Sequence, residues 1–224
     1  MLVRVVFRCA PNALLLDQRG RLISSGIKTE LFATWGAAEN EFELTHSDRE
    51  VKIDITMATC TWRMESAGAE TLEFFFKTLE SVQSVLTHWR VVAYYVTPST
   101  DSVNKMIERS IGQGSRHLLT PGQFSLVDFG WLYDVMIAGD KTFIQAGPMN
   151  RQQLVEQIYG RYATAASSDQ RVPEQAWFAG LQNQVLQPLT SKSVDSARKL
   201  LEERLVSFGD AARAVIDEMG GSAT

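Results

Sequence analysis

Three aspartates, Asp128, Asp134 and Asp140, recur at intervals of six residues. Carboxylates at or near strand ends can pair for general acid–base work or hold a metal ion, and such a set would make the chain a hydrolase. Aspartates that merely end strands and turns are the plainer alternative. Other catalytic patterns fail on spacing. His46, His88 and His117 lie far apart, with no H-x-x-x-H, H-E-x-x-H or C-x-x-C arrangement, so neither a metal nor a cofactor is implied. There is no G-x-S-x-G and no Walker loop. Gly112-Gln113-Gly114-Ser115 lacks the third glycine and the βαβ context of a dinucleotide site. The expectation is a protein that is not an enzyme.

Binding is the better-supported chemistry. Between Glu39 and Glu50 stand five acids, Glu39, Glu41, Glu43, Asp48 and Glu50, against one base, Arg49. On a hairpin, Glu41 and Glu43 project from one face, and a line of carboxylates attracts a basic surface across a Debye length of ~10 Å. A solvated strand face is the alternative. The tryptophans Trp35, Trp62, Trp89, Trp131 and Trp177 could anchor an interface or fill a core. A formal net charge of −4, spread evenly, argues against direct nucleic-acid or anionic-membrane binding. No apolar run approaches the ~18–20 residues that span a bilayer. The first residues alternate without a signal peptide's apolar core, and Cys9 and Cys60 read as two buried free thiols. Together these predict a cytoplasmic chain.

The elements that must carry these residues centre on 50–97. Val51, Ile53, Ile55 and Met57 alternate with Lys52, Asp54 and Thr56, the period of a half-buried strand. Leu72, Phe75, Phe76, Leu79, Val82 and Leu86 then recur at helical steps, predicting a helix over 66–88. Residues 90–97 are apolar on both faces, as in a strand inside a sheet. Before this core, 3–9 alternates as a strand. The polar stretch Asp17-Gln18-Arg19-Gly20 predicts a hairpin turn between 13–16 and 21–23, and 30–35 fits helix and strand equally. Residues 41–44 pair with the strand from Glu50.

After Pro98, Thr100 is the expected N-cap of a short helix to about 110, and 112–123 reads as a loop. Strands are expected at 124–129, 132–138 and 142–145, with a turn at Gly139-Asp140-Lys141. Asn150 and Gln153 form a capping-box start for a helix over 151–165. Pro173 opens an expected helix to about 187, and Ser193 opens the last, with Ala197, Leu201, Phe208 and Ile216 inward and Gly220-Gly221 as its stop. The expected fold class is α+β in one domain over 1–224, a β-rich N-terminal meander packed by the central helix, with a helical subregion at about 150–224.

The stretch 62–89 resembles the Immunity protein 52 family of bacterial polymorphic-toxin systems. Trp62, Arg63, Glu65, Ser66 and Ala67 match the start of that family's pattern, the amphipathic helix follows, and Trp89 matches its closing tryptophan. A threonine precedes Trp62 where the family has an aromatic, and no glycine follows it. The resemblance implies a cytoplasmic antitoxin that neutralises a cognate protein toxin of restriction-endonuclease-like fold, of the kind delivered by type VI secretion. It carries no catalytic residues. Trp62, Glu65 and Trp89 read as structural, with Glu65 or Ser66 capping the helix and the tryptophans pinning its ends. A homodimer is compatible with this reading. The competing expectation is a structural or assembly subunit, of phage or viral type, that works through protein–protein contacts.

Overall fold

The structure, a computed structural model, describes residues 2–10, 14–39, 41–46, 49–55, 60–66, 69–83, 85–111, 130–159, 172–183, 187–189 and 193–221. Ten strands and five helices among them make an α+β protein, as the sequence predicts. The chain divides into two compact units, each built from two separated stretches. The first holds Leu2–Ala93 and Asn183–Leu205, and the second Tyr94–Gln182 and Val206–Thr224.

In the first unit β1 (Leu2–Cys9) is followed by helix α1 (Leu14–Lys28), then by β2 (Thr34–Ala37), β3 (Glu41–His46), β4 (Arg49–Ile55) and β5 (Cys60–Ser66). Helix α2 (Ala69–Ser81) leads into β6 (Leu86–Pro98), and the short β10 (Gln187–Pro188) pairs with β6. The strand order is β2-β3-β4-β5-β1-β6. Neighbours β2–β3, β3–β4, β4–β5 and β5–β1 are antiparallel. Burial follows the period of two. Val3, Val5, Phe7, Cys9, Phe42, Leu44, Val51, Cys60 and Met64 are buried, whereas Arg8 and Arg63 are exposed. Cys9 and Cys60 are buried, form no disulfide and stand directly opposite one another in the β1–β5 ladder.

Helix α2 lies on the buried face. Phe7 of β1 sits 6.0 Å from the Phe75 ring and 5.9 Å from that of Phe76, and Leu79 is fully buried. Full burial of such a side chain contributes ~1.5–3 kcal/mol. The expected helix over 66–88 is too long. It stops at Ser81, Gln83 takes a φ of 52°, and Leu86 already belongs to β6. Helix α1 corrects the predicted hairpin at 13–23. Its inner stripe is Leu22, Ile23 and Gly26, where a small residue replaces the large apolar one that would have revealed the helical period. A Cβ on Gly26 would stand 2.7 Å from Leu44 Cδ1, so the helix approaches β3 as closely as only glycine permits. The stretch 30–35 resolves as the approach to β2 rather than a helix.

The second unit contains the end of β6 and α3 (Val103–Ser110). β7 (Trp131–Ile137) and β8 (Asp140–Asn150) follow, with α4 (Arg151–Leu154) running into a π-turn over Val155–Tyr159. It also holds most of β9 (Gln175–Asn183) and the later part of the last helix, α5 (Val194–Glu218). Its strand order is β6-β9-β8-β7. β6 therefore lies inside, as its two apolar faces predict. The N-cap of α3 is Ser102 rather than Thr100. The capping box is present, with Asn150 and Gln153 exchanging side-chain and backbone bonds of 2.9 and 3.0 Å. Ala138 and Gly139, with φ of 48° and 84°, make the β7–β8 turn, one residue earlier than expected. Gly220, with φ of 84°, ends the last helix, and Gly221 N–H donates to the Ile216 carbonyl at 2.9 Å.

The expected helix from Pro173 to about 187 is overturned, because most of it is β9. Ala176, Trp177, Phe178, Ala179, Gly180 and Leu181 are all buried. A short run that is apolar on every side fits a strand covered on both faces as well as a buried helix, and its aromatics and glycine favour the strand. The strand expected at 124–129 and the loop at 112–123 lie outside the described residues.

Candidate interaction surface

The acid-rich segment is a hairpin, as expected, and its alternation divides its residues cleanly. On β3, Phe42 and Leu44 are 2% and 1% exposed, while Glu41, Glu43 and Thr45 occupy the opposite face, half-buried. Glu39 is exposed just before the strand, where the Arg19 guanidinium donates to the carbonyls of Ala38 and Glu39 at 2.5 and 3.2 Å. Asp48 lies outside the described residues. Glu50 falls in β4, where it stands between Thr45 of β3 and Glu65 of β5 in the ladder.

The sequence does not show how β5 completes this face. Lys52 is opposite Glu43 on one side and Arg63 on the other, and Asp54 is opposite Glu41 and Thr61. Along each strand the charges alternate, Glu50-Lys52-Asp54 on β4 and Arg63-Glu65 on β5. Between β4 and β5 like charges oppose like, whereas between β3 and β4 Lys52 stands opposite Glu43. The register thus sets an acidic row, Glu50 with Glu65, beside a basic row, Lys52 with Arg63. The acidic pair Glu41 and Asp54 follows. Like charges directly opposite are unfavourable, and their diagonal neighbours of opposite sign offset this. On β3, Glu41 and Glu43 thus share one face, and the ladder sets Lys52 of β4 opposite Glu43.

The residues of the family pattern separate. Trp62 stands between Phe7 and Ile53 in the ladder, and Arg63 is exposed. Glu65 and Ser66 close β5 as ladder partners of Arg4 and Val3, so neither is the expected cap, because α2 begins at Ala69. Trp89 is 1% exposed inside β6, opposite Gln187 of β10, with the Arg204 guanidinium 5.8 Å from its ring. It does not close the helix, since seven residues, among them the first three of β6, separate it from Ser81.

Of the aspartate set, the two described members do not meet. Asp128 lies outside the described residues. In the β7–β8 ladder Asp134 is opposite Phe143 and Asp140 opposite Ile137. Those positions are offset by three along each strand, an odd step, so Asp134 and Asp140 lie on opposite faces. Asp134 instead pairs with Lys141 at 3.4 Å, both about half exposed. Among the described residues no three His, Cys, Asp or Glu side chains could share a metal ion.

Elsewhere the charges make structural networks. Arg198 bonds Glu73 at 2.8 Å and lies 5.1 Å over the Phe76 ring. Glu73 is held below the usual carboxylate range, first by the Lys77 hydrogen bond and then by the nearby Arg198 charge. In the second unit, burial, with help from the Asp210 charge, pushes the Tyr95 phenol up to about 12. β7 exposes a different surface. Trp131, Leu132 and Met136 are 37%, 66% and 67% exposed, and the Trp131 and Tyr133 rings stack 5.9 Å apart.

Comparison with known proteins finds no match: no family model, no curated protein and no solved structure matches this chain. No helix among the described residues is long and apolar enough to cross a membrane.

Proposed function

We propose that this chain works by binding another protein, and that its partner is a cognate nuclease toxin with a basic DNA-binding surface, which makes it a cytoplasmic immunity protein. The observation that carries the reading is the acidic face of β3, where Glu41 and Glu43 point away from the core and Glu39 extends the charge to an exposed turn. The likeness of residues 62–89 to the Immunity protein 52 pattern supports it. Charges at an interface rim act chiefly on the rate of encounter, whereas buried anchors set dissociation. Replacing Glu41 and Glu43 together by lysine should slow association with the toxin encoded next to this gene by about tenfold at low salt and flatten its salt dependence. The register sets position 41 opposite Asp54 but position 43 opposite Lys52, so circular dichroism must first show that the double variant is folded. Stopped-flow association at low and high salt measures this. Equal rates in the two proteins would remove β3 from the mechanism, and no binding to the neighbouring toxin would remove the immunity reading.

One observation favours a second reading, an assembly subunit: the apolar side chains that β7 leaves exposed. Light scattering of the purified chain tests it. A stable oligomer that Met136→Glu disperses would support it, and a monomer at high concentration would sink it.

A further inference from the structure

We propose that the groove between α1 and β2 binds an extended, carboxylate-bearing peptide segment, which adds to the sheet as a strand along the open side of β2. This concerns a different surface from the β3 face and does not depend on the toxin reading. Three observations converge. β2 ends the strand order, and among the described residues no strand lies beyond it. Ala38 N–H donates to the Glu41 carbonyl at 2.9 Å, and antiparallel bonding alternates between bonded and unbonded pairs. The backbone groups of Trp35 and Ala37 therefore point away from β3, presenting donors and acceptors to an incoming strand.

Second, these same two residues line a groove of ≈ 460 Å³ with Ile23 and Ile27 of α1. Its floor is apolar, and Trp35 stands 60% exposed at its edge, although tryptophan is on average a highly buried residue. Third, among the described residues lining the groove the charged ones are Arg19 and Lys28, both cations. Arg19 is fixed at one end by its bonds to the Ala38 and Glu39 carbonyls, and Lys28 lies in the last turn of α1. Nine helical steps at ~1.5 Å place them ~13 Å apart, the length of about four extended residues. In a strand, residues i, i+2 and i+4 share one face. The fitting ligand thus carries Asp or Glu at i and i+4, with an apolar side chain at i+2 over Ile23 and Ile27. A second copy of this chain fits less well. Two-fold pairing of β2 with itself would set Arg19 and Lys28 of one copy against the same cations of the other.

The test pans a display library of random dodecapeptides on the full chain. Enriched peptides should carry two carboxylates four residues apart around an apolar residue. Lys28→Glu should weaken the best of them at least about tenfold, and Ala37→Pro, which removes an outward N–H, should do the same. Circular dichroism checks that each variant is folded. If Ala37→Pro does not fold, Lys28→Glu, on an exposed turn, decides alone. Enrichment of peptides without the acidic pair, binding indifferent to Lys28→Glu, or no enrichment would overturn the proposal. A dimer in sedimentation that Ala37→Pro separates would assign this edge to a second copy and overturn it as well.

Discussion

The β3–β4 and β7–β8 hairpins are built on one backbone plan with opposite rules for their side chains. In β3 parity predicts burial: Phe42 and Leu44 go under α1 and its neighbours, and Glu41 and Glu43 go out. In β7 apolar residues occupy both parities, and both are open. Leu132 and Met136 are exposed on one face, and Trp131 is 37% exposed on the other. Only the partner strand β8 obeys the rule, burying Thr142, Ile144 and Ala146. An apolar strand therefore reports burial only where something lies over it. β7 is apolar for a reason that the described part of its own unit does not supply.

Four substitutions sharpen or break this contrast. Leu44→Ala should cost ~2–5 kcal/mol in chemical denaturation, because Leu44 is 1% exposed and in contact range of Gly26. Leu79→Ala, at a fully buried position of α2, should cost a similar amount. A loss below ~0.5 kcal/mol at either would mean that the charged and buried faces of the first unit are assigned the wrong way round. Met136→Thr comes next. It should change stability by no more than ~0.5 kcal/mol while raising solubility, and a core-sized loss would show that β7 is covered after all. Asp134→Asn should have the smallest effect, under ~0.5 kcal/mol, since its pairing with Lys141 is half exposed. A larger, salt-insensitive loss would give that aspartate the functional weight that its geometry denies.

The contrast also explains what could be read from the sequence. Where alternation is strict, as in 41–44 and 51–55, strand and pairing are legible, and in 41–44 the buried face as well. The capping box at Asn150 and the glycine stop at 220 were legible too, because each depends on a few neighbouring residues. Three things were not. Helix α1 hides its period because Gly26 stands where the stripe needs bulk and because Asp17-Gln18-Arg19-Gly20 has the composition of a turn. β9 is apolar on every side, so nothing local distinguishes strand from helix. The charge rows on the β3 face arise from register with β5, a segment remote from β3 in sequence, and no local pattern announces that Lys52 will separate Glu43 from Arg63. The missed groove follows from the first of these. With α1 read as a hairpin, Arg19, Lys28 and Trp35 had no reason to line one surface.

The discontinuity of the first unit has a consequence during synthesis. Phe76 and Trp89 meet side chains of α5, with Arg198 over one ring and Arg204 over the other, while Ala197 and Leu201 are fully buried. Those residues leave the ribosome only after 94–182 have been made, which at ~5–20 residues per second takes on the order of 5–20 s. For that interval the nascent sheet carries α2 with part of its apolar surface uncovered. The chain must cross a window in which its own later segment competes with chaperones and with other nascent chains for the same rings. A fragment ending after β6 would stay in that window permanently.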